Sequence, residues 1–342
     1  MKTSKITILI LTTILLAFTP VIFMDKVEAK NVKVAVTIEP LASVVEAIGG
    51  EEVSVQTLLP EGVEPHTFQA TPEILAKATL ADLIVQTGHF PFEEQLIKAT
   101  GKPSVGLRDF IDFGLNLSRI PTNEHEEHSG GYNLHGYWLK PDNARAIAKA
   151  AASALAKIDP VNAEKYQKNL EVFQEKISKV KNYINLLKSG EGAGRLKVVV
   201  THPSEIYLAE TFGMDVVGVL SRGENIFISG GELANLEEKL RSREVNLIIS
   251  SELSGQMKVG EFAEQLAKDT DTPIIHFRVM SFEGFDYLTL IMFNAGVASN
   301  IIVKPSSDVQ STQWLYPIAL AILASLALAE AALIVRFRGW RQ

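Results

Sequence analysis

Seven histidines are distributed over a chain of 342 residues that has no cysteine. Any transition metal held here must therefore be held by imidazole and carboxylate. His66 lies in Pro60-Glu-Gly-Val-Glu-Pro-His66-Thr-Phe, after a predicted strand and before a helix that Thr71 caps and Pro72 opens. His135 lies in Asn133-Leu-His135-Gly-Tyr-Trp138, ahead of a helix opened by Asp142, and His202 directly follows a predicted strand over 197–201. A single histidine is more often a surface or core residue than a ligand. His66 and His202, however, stand where a strand ends and the chain turns, the edge at which open α/β sheets bind ligands. Three neutral imidazoles on element ends could converge on one divalent cation, leaving the fourth position to another residue or water. Each must give up a proton to bind, so affinity is expected to fall as pH drops through about 6.5.

Between Pro121 and Gly131 runs a short loop with Glu124, His125, Glu126, Glu127 and His128. It reads as a solvated charged loop that could also capture cations weakly, since ordering it costs entropy. Its His-Glu-Glu-His order lacks the i, i+4 spacing of a zinc hydrolase helix, and there is neither a G-x-S-x-G elbow nor a phosphate-binding G-x-x-x-x-G-K-[ST] loop. The missing cysteines exclude disulfides, iron-sulfur clusters, thiol nucleophiles and a lipidated cysteine anchor. Lys+Arg 33 against Asp+Glu 40 gives a net charge of -7. Such an acidic body makes nucleic acid an unexpected partner.

Short β-branched runs that alternate with amphipathic stretches must position these histidines. Segments 33–37, 53–57 and 83–87 read as strands, with helices over 41–48 and 72–79. The rhythm returns with strands over 197–201, 215–219, 246–250 and 273–277. Strands alternating with helices predict two α/β lobes, each a mainly parallel sheet flanked by helices. Between them, Tyr166, Leu170, Phe173, Ile177, Val180, Ile184 and Leu187 form an apolar stripe at alternating spacings of four and three. The stripe predicts one long helix within 159–189, a rigid strut joining the lobes; a coiled-coil seam is the alternative, with few heptads to support it.

Both ends carry membrane-directed signals. Lys2 and Lys5 precede an apolar run over 6–24 and a small-residue site near Ala29, which reads as a signal peptide, cleaved or retained as an anchor. Residues 314–335 contain a single charge, Glu330, and are followed by Arg336, Arg338 and Arg341. That is the pattern of a transmembrane helix with a cytoplasmic basic flank. The expected organisation is a signal peptide over 1–29, an N-terminal metal-binding lobe over 30–158, the linking helix over 159–189 and a C-terminal metal-binding lobe over 190–304. A linker over 305–313 and a transmembrane anchor over 314–336 come after it, so that the binding domain is extracytoplasmic on a cell membrane.

In order along the chain, the stretches around Glu39-Pro40, Glu64-Pro-His66-Thr-Phe, Asp82-Leu-Ile-Val-Gln-Thr-Gly88, His135-Gly-Tyr-Trp138-Leu-Lys-Pro141, Thr201-His202-Pro with Phe212-Gly213, and Tyr287 to Asn294 form a set. Together they resemble the zinc/manganese substrate-binding proteins of ABC transporters, of the zinc-uptake type, over nearly all of 31–303. The resemblance implies two α/β lobes joined by a long helix with the metal between them, and a permease of the same membrane as partner. It implies His66, His135 and His202 as ligands. His276, near where the family's acidic ligand falls, is the expected fourth, with Glu252, Glu283 or water as alternatives. The loop at His125 and His128 falls where zinc-selective members carry a His-rich loop, which leans the cargo towards Zn2+, with Mn2+ as the alternative. Lys140 departs from the acidic residue usual before Pro141.

The expectation is thus a binding protein and not an enzyme, one that receives a divalent metal and delivers it to a permease. Two other readings stand beside it. An adhesion or sensor protein could keep the fold without transport, and a zinc-dependent hydrolase could use Glu64 or Glu205 as a base beside an open metal position. Asn116-Leu-Ser118 also fits an N-glycosylation acceptor.

Overall fold

The computed structural model describes residues 31–121, 131–189, 196–223, 226–282 and 284–302. The expected signal peptide, linker and transmembrane anchor, the loop at His125 and His128, and Glu283 lie outside the described residues. Among the described residues no helix is long and apolar enough to cross a membrane.

The described residues divide into two compact units, the first comprising those within 31–116, 142–176 and 281–287, the second those within 117–141, 177–280 and 288–302. In the first unit, β1 (Val32–Val36), β2 (Val53–Thr57), β3 (Leu83–Val85) and β4 (Ser104–Val105) form a parallel sheet in the order β2-β1-β3-β4. The inner strand β3 is buried throughout and β1 nearly so, whereas edge strand β2 alternates half-buried Val and Thr with exposed Ser and Gln. Inner strands of a parallel sheet are covered on both faces and an edge strand is not, which is why β3 is a continuous apolar run and β1 is apolar but for Lys33 near its start. Helices α1 (Glu39–Gly49), α2 (Pro72–Thr79), α3 (Pro91–Thr100) and α4 (Leu107–Asp112) make the connections. Thr71 Oγ1 accepts the Ile74 N–H at 3.4 Å and Pro72 is the first residue of α2, as the sequence predicts. Helix α5 (Pro141–Ile158) adds an alanine-rich buried face.

Helix α6 (Ala163–Lys188) comes after a short 3-10 turn over Pro160–Asn162; its residues through Lys176 belong to the first unit and those from Ile177 to the second. Six members of the apolar stripe, from Tyr166 to Ile184, are buried and Leu187 is half-buried. Side chains of this size contribute about 1.5–3 kcal/mol each when buried. Within the first unit, α6 is also tied by Tyr166 Oη donating to Asp159 Oδ2 at 2.7 Å and by Asn169 Nδ2 donating to the Ile48 carbonyl at 2.9 Å.

The second unit repeats the parallel plan. β5 (Lys197–Val200), β6 (Asp215–Val219), β9 (Leu247–Ser251) and β10 (Ile274–Phe277) lie in the order β10-β9-β5-β6, and β7 (Ser221–Gly223) with β8 (Ile226–Phe227) forms a small antiparallel pair. Helices α7 (Ser204–Thr211), α8 (Gly230–Arg241), α9 (Lys258–Thr270) and α10 (Tyr287–Ile302, in this unit from Leu288) complete it. Residues 117–121 and 131–141 precede α6 in sequence yet pack with elements on the C-terminal side of that helix. The Ser118 N–H donates to Tyr207 Oη at 3.1 Å, and Trp138 Nε1 donates to the Val279 carbonyl at 3.1 Å.

Candidate metal centre

In the first unit His66 sits on the connection from β2 to α2, and His89 on the turn from β3 to α3. Their ring centres are 4.8 Å apart and their planes stand at 82°. Two imidazoles bound tetrahedrally through nitrogen, each at roughly 2.0–2.1 Å from a metal, have ring centres about 5 Å apart. Both Nε2 atoms are shielded from solvent, and Phe90, itself buried, lies 5.0 Å from the His66 ring. Burial lowers the pKa of His66, with Glu64 and Glu93 partly opposing it. Burial, and then the charge on His66, lower that of His89 to about 4. Both rings are therefore neutral at pH 7, which is the metal-binding form. Proton competition at these two rings consequently sets in below the ordinary histidine value of about 6.5 expected from the sequence.

This buried neutrality affects stability in acid. The pKa of His89 is lower folded than unfolded, so its contribution is complete above about pH 6.5, declines as pH falls towards 4, and is constant below. Glu205 acts in the opposite sense, since burial pushes its carboxyl up to about 7. The effect of His89 is therefore read as a difference. Between pH 7 and 4.5, urea unfolding of the metal-free wild type should lose about 2 kcal/mol more than that of His89→Gln. Equal losses in the two proteins would contradict the assignment.

In the second unit His135 and His202 form a matching pair, with ring centres 5.0 Å apart and planes at 89°. His202 follows β5 and is 5% exposed. Ser204 orients its ring, with Oγ 3.0 Å and N–H 3.3 Å from Nδ1. The backbone N–H donates to Nδ1 when that atom is unprotonated, whereas in the tautomer with Nδ1–H only the hydroxyl can accept, and the solvent-shielded Nε2 is then the atom open to a metal. The His202 backbone N–H donates to Glu205 Oε2 at 2.6 Å, and Glu205 Oε1 accepts from Ser251 Oγ at 2.7 Å and Ser254 Oγ at 2.6 Å. Glu205 is fully buried. Its carboxylate thus holds the β5–α7 turn, which argues against the base role considered for it in a hydrolase.

Asn133 fastens His135 to that turn. Its Oδ1 accepts the His135 N–H at 3.0 Å, its Nδ2 donates to the Pro203 carbonyl at 2.8 Å, and its own carbonyl accepts Tyr207 Oη. Gly136 has φ +80°, and a Cβ there would meet the Ser204 carbonyl oxygen at 2.9 Å. Only glycine fits so close an approach at that φ without strain. Lys140 pairs with Glu210 Oε2 at 2.5 Å and reaches Ser118 Oγ at 3.2 Å, so the basic residue before Pro141 braces this segment.

His276 does not join the pair in its unit. It lies on edge strand β10 with its side chain 51% exposed, and Nε2 sits 3.1 Å from Glu264 Oε1 on α9. Side chains alternate faces along a strand; Phe277 takes the buried face and His276 is turned to solvent. Glu252 is engaged elsewhere, its carboxylate accepting the Val279 N–H at 3.0 Å and the Met280 N–H at 2.8 Å. Sequence reasoning overlooked His89. Like His66 and His202 it comes after a parallel strand, and that same signal would have found it.

The family model described as zinc-uptake complex component A, periplasmic (ZnuA), matches residues 34–297, well over half the chain. The manganese ABC transporter substrate-binding lipoprotein PsaA of Streptococcus pneumoniae is 26% identical over 73% of this chain and 80% of its own. The high-affinity zinc uptake system protein ZnuA of Bacillus subtilis (strain 168) is 26% identical over 70% of this chain and 76% of its own. Among solved structures, a ZnuA crystal structure superposes with a TM-score of 0.63 at 22% identity, covering 80% of this chain and 99% of that one. The Pseudomonas aeruginosa substrate-binding protein FpvC, in complex with Ni2+, gives 0.64 at 20% identity over 80% and 96% of the two chains.

Proposed function

The chain belongs to the zinc-uptake complex component A family of metal-binding ABC transporter substrate-binding proteins, and from that premise we propose that it captures zinc outside the cytoplasm and delivers it to a permease. His66 of the first unit and His135 and His202 of the second are the ligands. The observation that carries the reading is the second unit's pair. His135 and His202, singled out by sequence context alone, have ring centres at the spacing of two imidazoles sharing one ion. Zinc relatives and manganese relatives resemble the chain equally in identity, so the choice of zinc rests on donor chemistry. Imidazole nitrogen suits zinc, whereas manganese is better served by carboxylate oxygen. The apolar segment over 314–335 serves as a tether, keeping the binding units beside the permease and raising their effective concentration there.

Calorimetric titration of zinc chloride and manganese chloride, separately, into the metal-stripped full-length protein tests the proposal. One tight zinc site with weaker manganese binding is expected. Tighter manganese binding would change the cargo, and no site for either metal would sink the transport reading in favour of an adhesion or sensor role.

A further inference from the structure

The first unit contains a donor outside the set His66, His135 and His202. Resting on the proposed metal-binding function, we infer that His89 is a further metal ligand, so that the first unit presents two imidazoles by itself and the completed set is nitrogen throughout. The ring centres of His66 and His89, 4.8 Å apart, match the separation of about 5 Å for two imidazoles on one tetrahedral ion. Both Nε2 atoms are out of solvent. Each ring stands on a connection that leaves a parallel strand, on the sheet edge where such folds take their ligands.

The turn that carries His89 is firmly built. Glu93, 1% exposed, accepts the Thr87 N–H at 2.8 Å, Thr87 Oγ1 at 2.7 Å, the His89 N–H at 3.0 Å and the Phe90 N–H at 3.1 Å. Gly88 turns at φ +72°, where a Cβ would press on Leu107 Cβ at 3.0 Å. A backbone held this way has little freedom left to lose on binding, and a donor carried on a preorganised turn adds to affinity for that reason. Its element also matters. A nitrogen donor in the fourth position favours zinc, whereas an oxygen donor there would make manganese more comfortable. His89 is therefore a specificity-determining residue.

The test uses the metal-stripped full-length protein with zinc chloride and manganese chloride. His89→Ala should bind zinc at least about tenfold more weakly and lose less for manganese. His89→Asp, which keeps a donor but exchanges nitrogen for oxygen, should still bind and should move the zinc-to-manganese affinity ratio towards manganese by about tenfold. X-ray absorption at the zinc edge should count four imidazoles in the loaded wild type and three in His89→Ala. If His89→Ala fails to fold by circular dichroism, the imidazole count in the wild type and the metal preference of His89→Asp decide. Zinc binding lost in His66→Ala and His202→Ala but unchanged in His89→Ala would overturn the inference and leave the proposed function standing, as would three imidazoles in the wild type. A wild type that takes up no zinc would overturn both.

Discussion

Replacing His202 by alanine is expected to weaken zinc binding by about two to three orders of magnitude. Zinc held by a full set of protein ligands is worth roughly 10–16 kcal/mol, so one donor of four would carry about 3–4 kcal/mol. His202 should stand at the upper end of that range. The residue is 5% exposed, Ser204 contacts its ring at Nδ1, and its backbone is bound to a buried carboxylate, so water has little room to replace it as ligand. Ser204→Ala keeps the ligand and removes its orienting partner, which typically costs about 10- to 100-fold. His276→Ala is the control. That side chain is half-exposed and pairs with Glu264, so zinc affinity should be unchanged. Titration of the three variants beside the wild type measures the whole series. If His276→Ala lost as much affinity as His202→Ala, the edge-strand histidine would return as a ligand.

The second large effect concerns stability. Glu205→Ala should destabilise the protein by about 3–5 kcal/mol, because it strands the His202 N–H and the Ser251 and Ser254 hydroxyls in a dry interior and leaves a cavity besides. Glu205→Gln preserves the volume and one acceptor oxygen, so about 1–2 kcal/mol is expected. Urea unfolding of the metal-free proteins distinguishes these values. Zinc affinity in Glu205→Gln should fall by less than about tenfold, since the carboxylate acts on the His202 backbone and not on the metal. A Gln variant as stable as the wild type would mean that the buried carboxylate does not organise the β5–α7 turn.

Much of this architecture is local in origin and was legible for that reason. The inner strands are short runs rich in β-branched residues and α6 carries apolar residues at helical spacing, so each element announces its own type. Thr71-Pro72 opens α2 as a cap and first residue should. The short β4 and the β7–β8 pair escaped notice. Strands of two or three residues leave no period to detect, and neighbouring strands supply their bonding partners.

Residue types alone determined that thiolates are not available as donors, and strand ends alone placed His66 and His202 on connections that leave parallel strands. The tertiary structure decided which imidazoles meet. His135 reaches His202 because Asn133 bonds the Pro203 carbonyl and Gly136 allows the Ser204 backbone to approach, contacts between segments remote in sequence. His89 meets His66 because β1 lies between β2 and β3 in the sheet, bringing the connections that leave those strands to one edge. His276 turns away because it occupies the solvent-facing register of an edge strand with Glu264 beside it on α9. A strand residue's face depends on which neighbours cover it, and that cover comes from chain distant in sequence, beyond the reach of any local pattern.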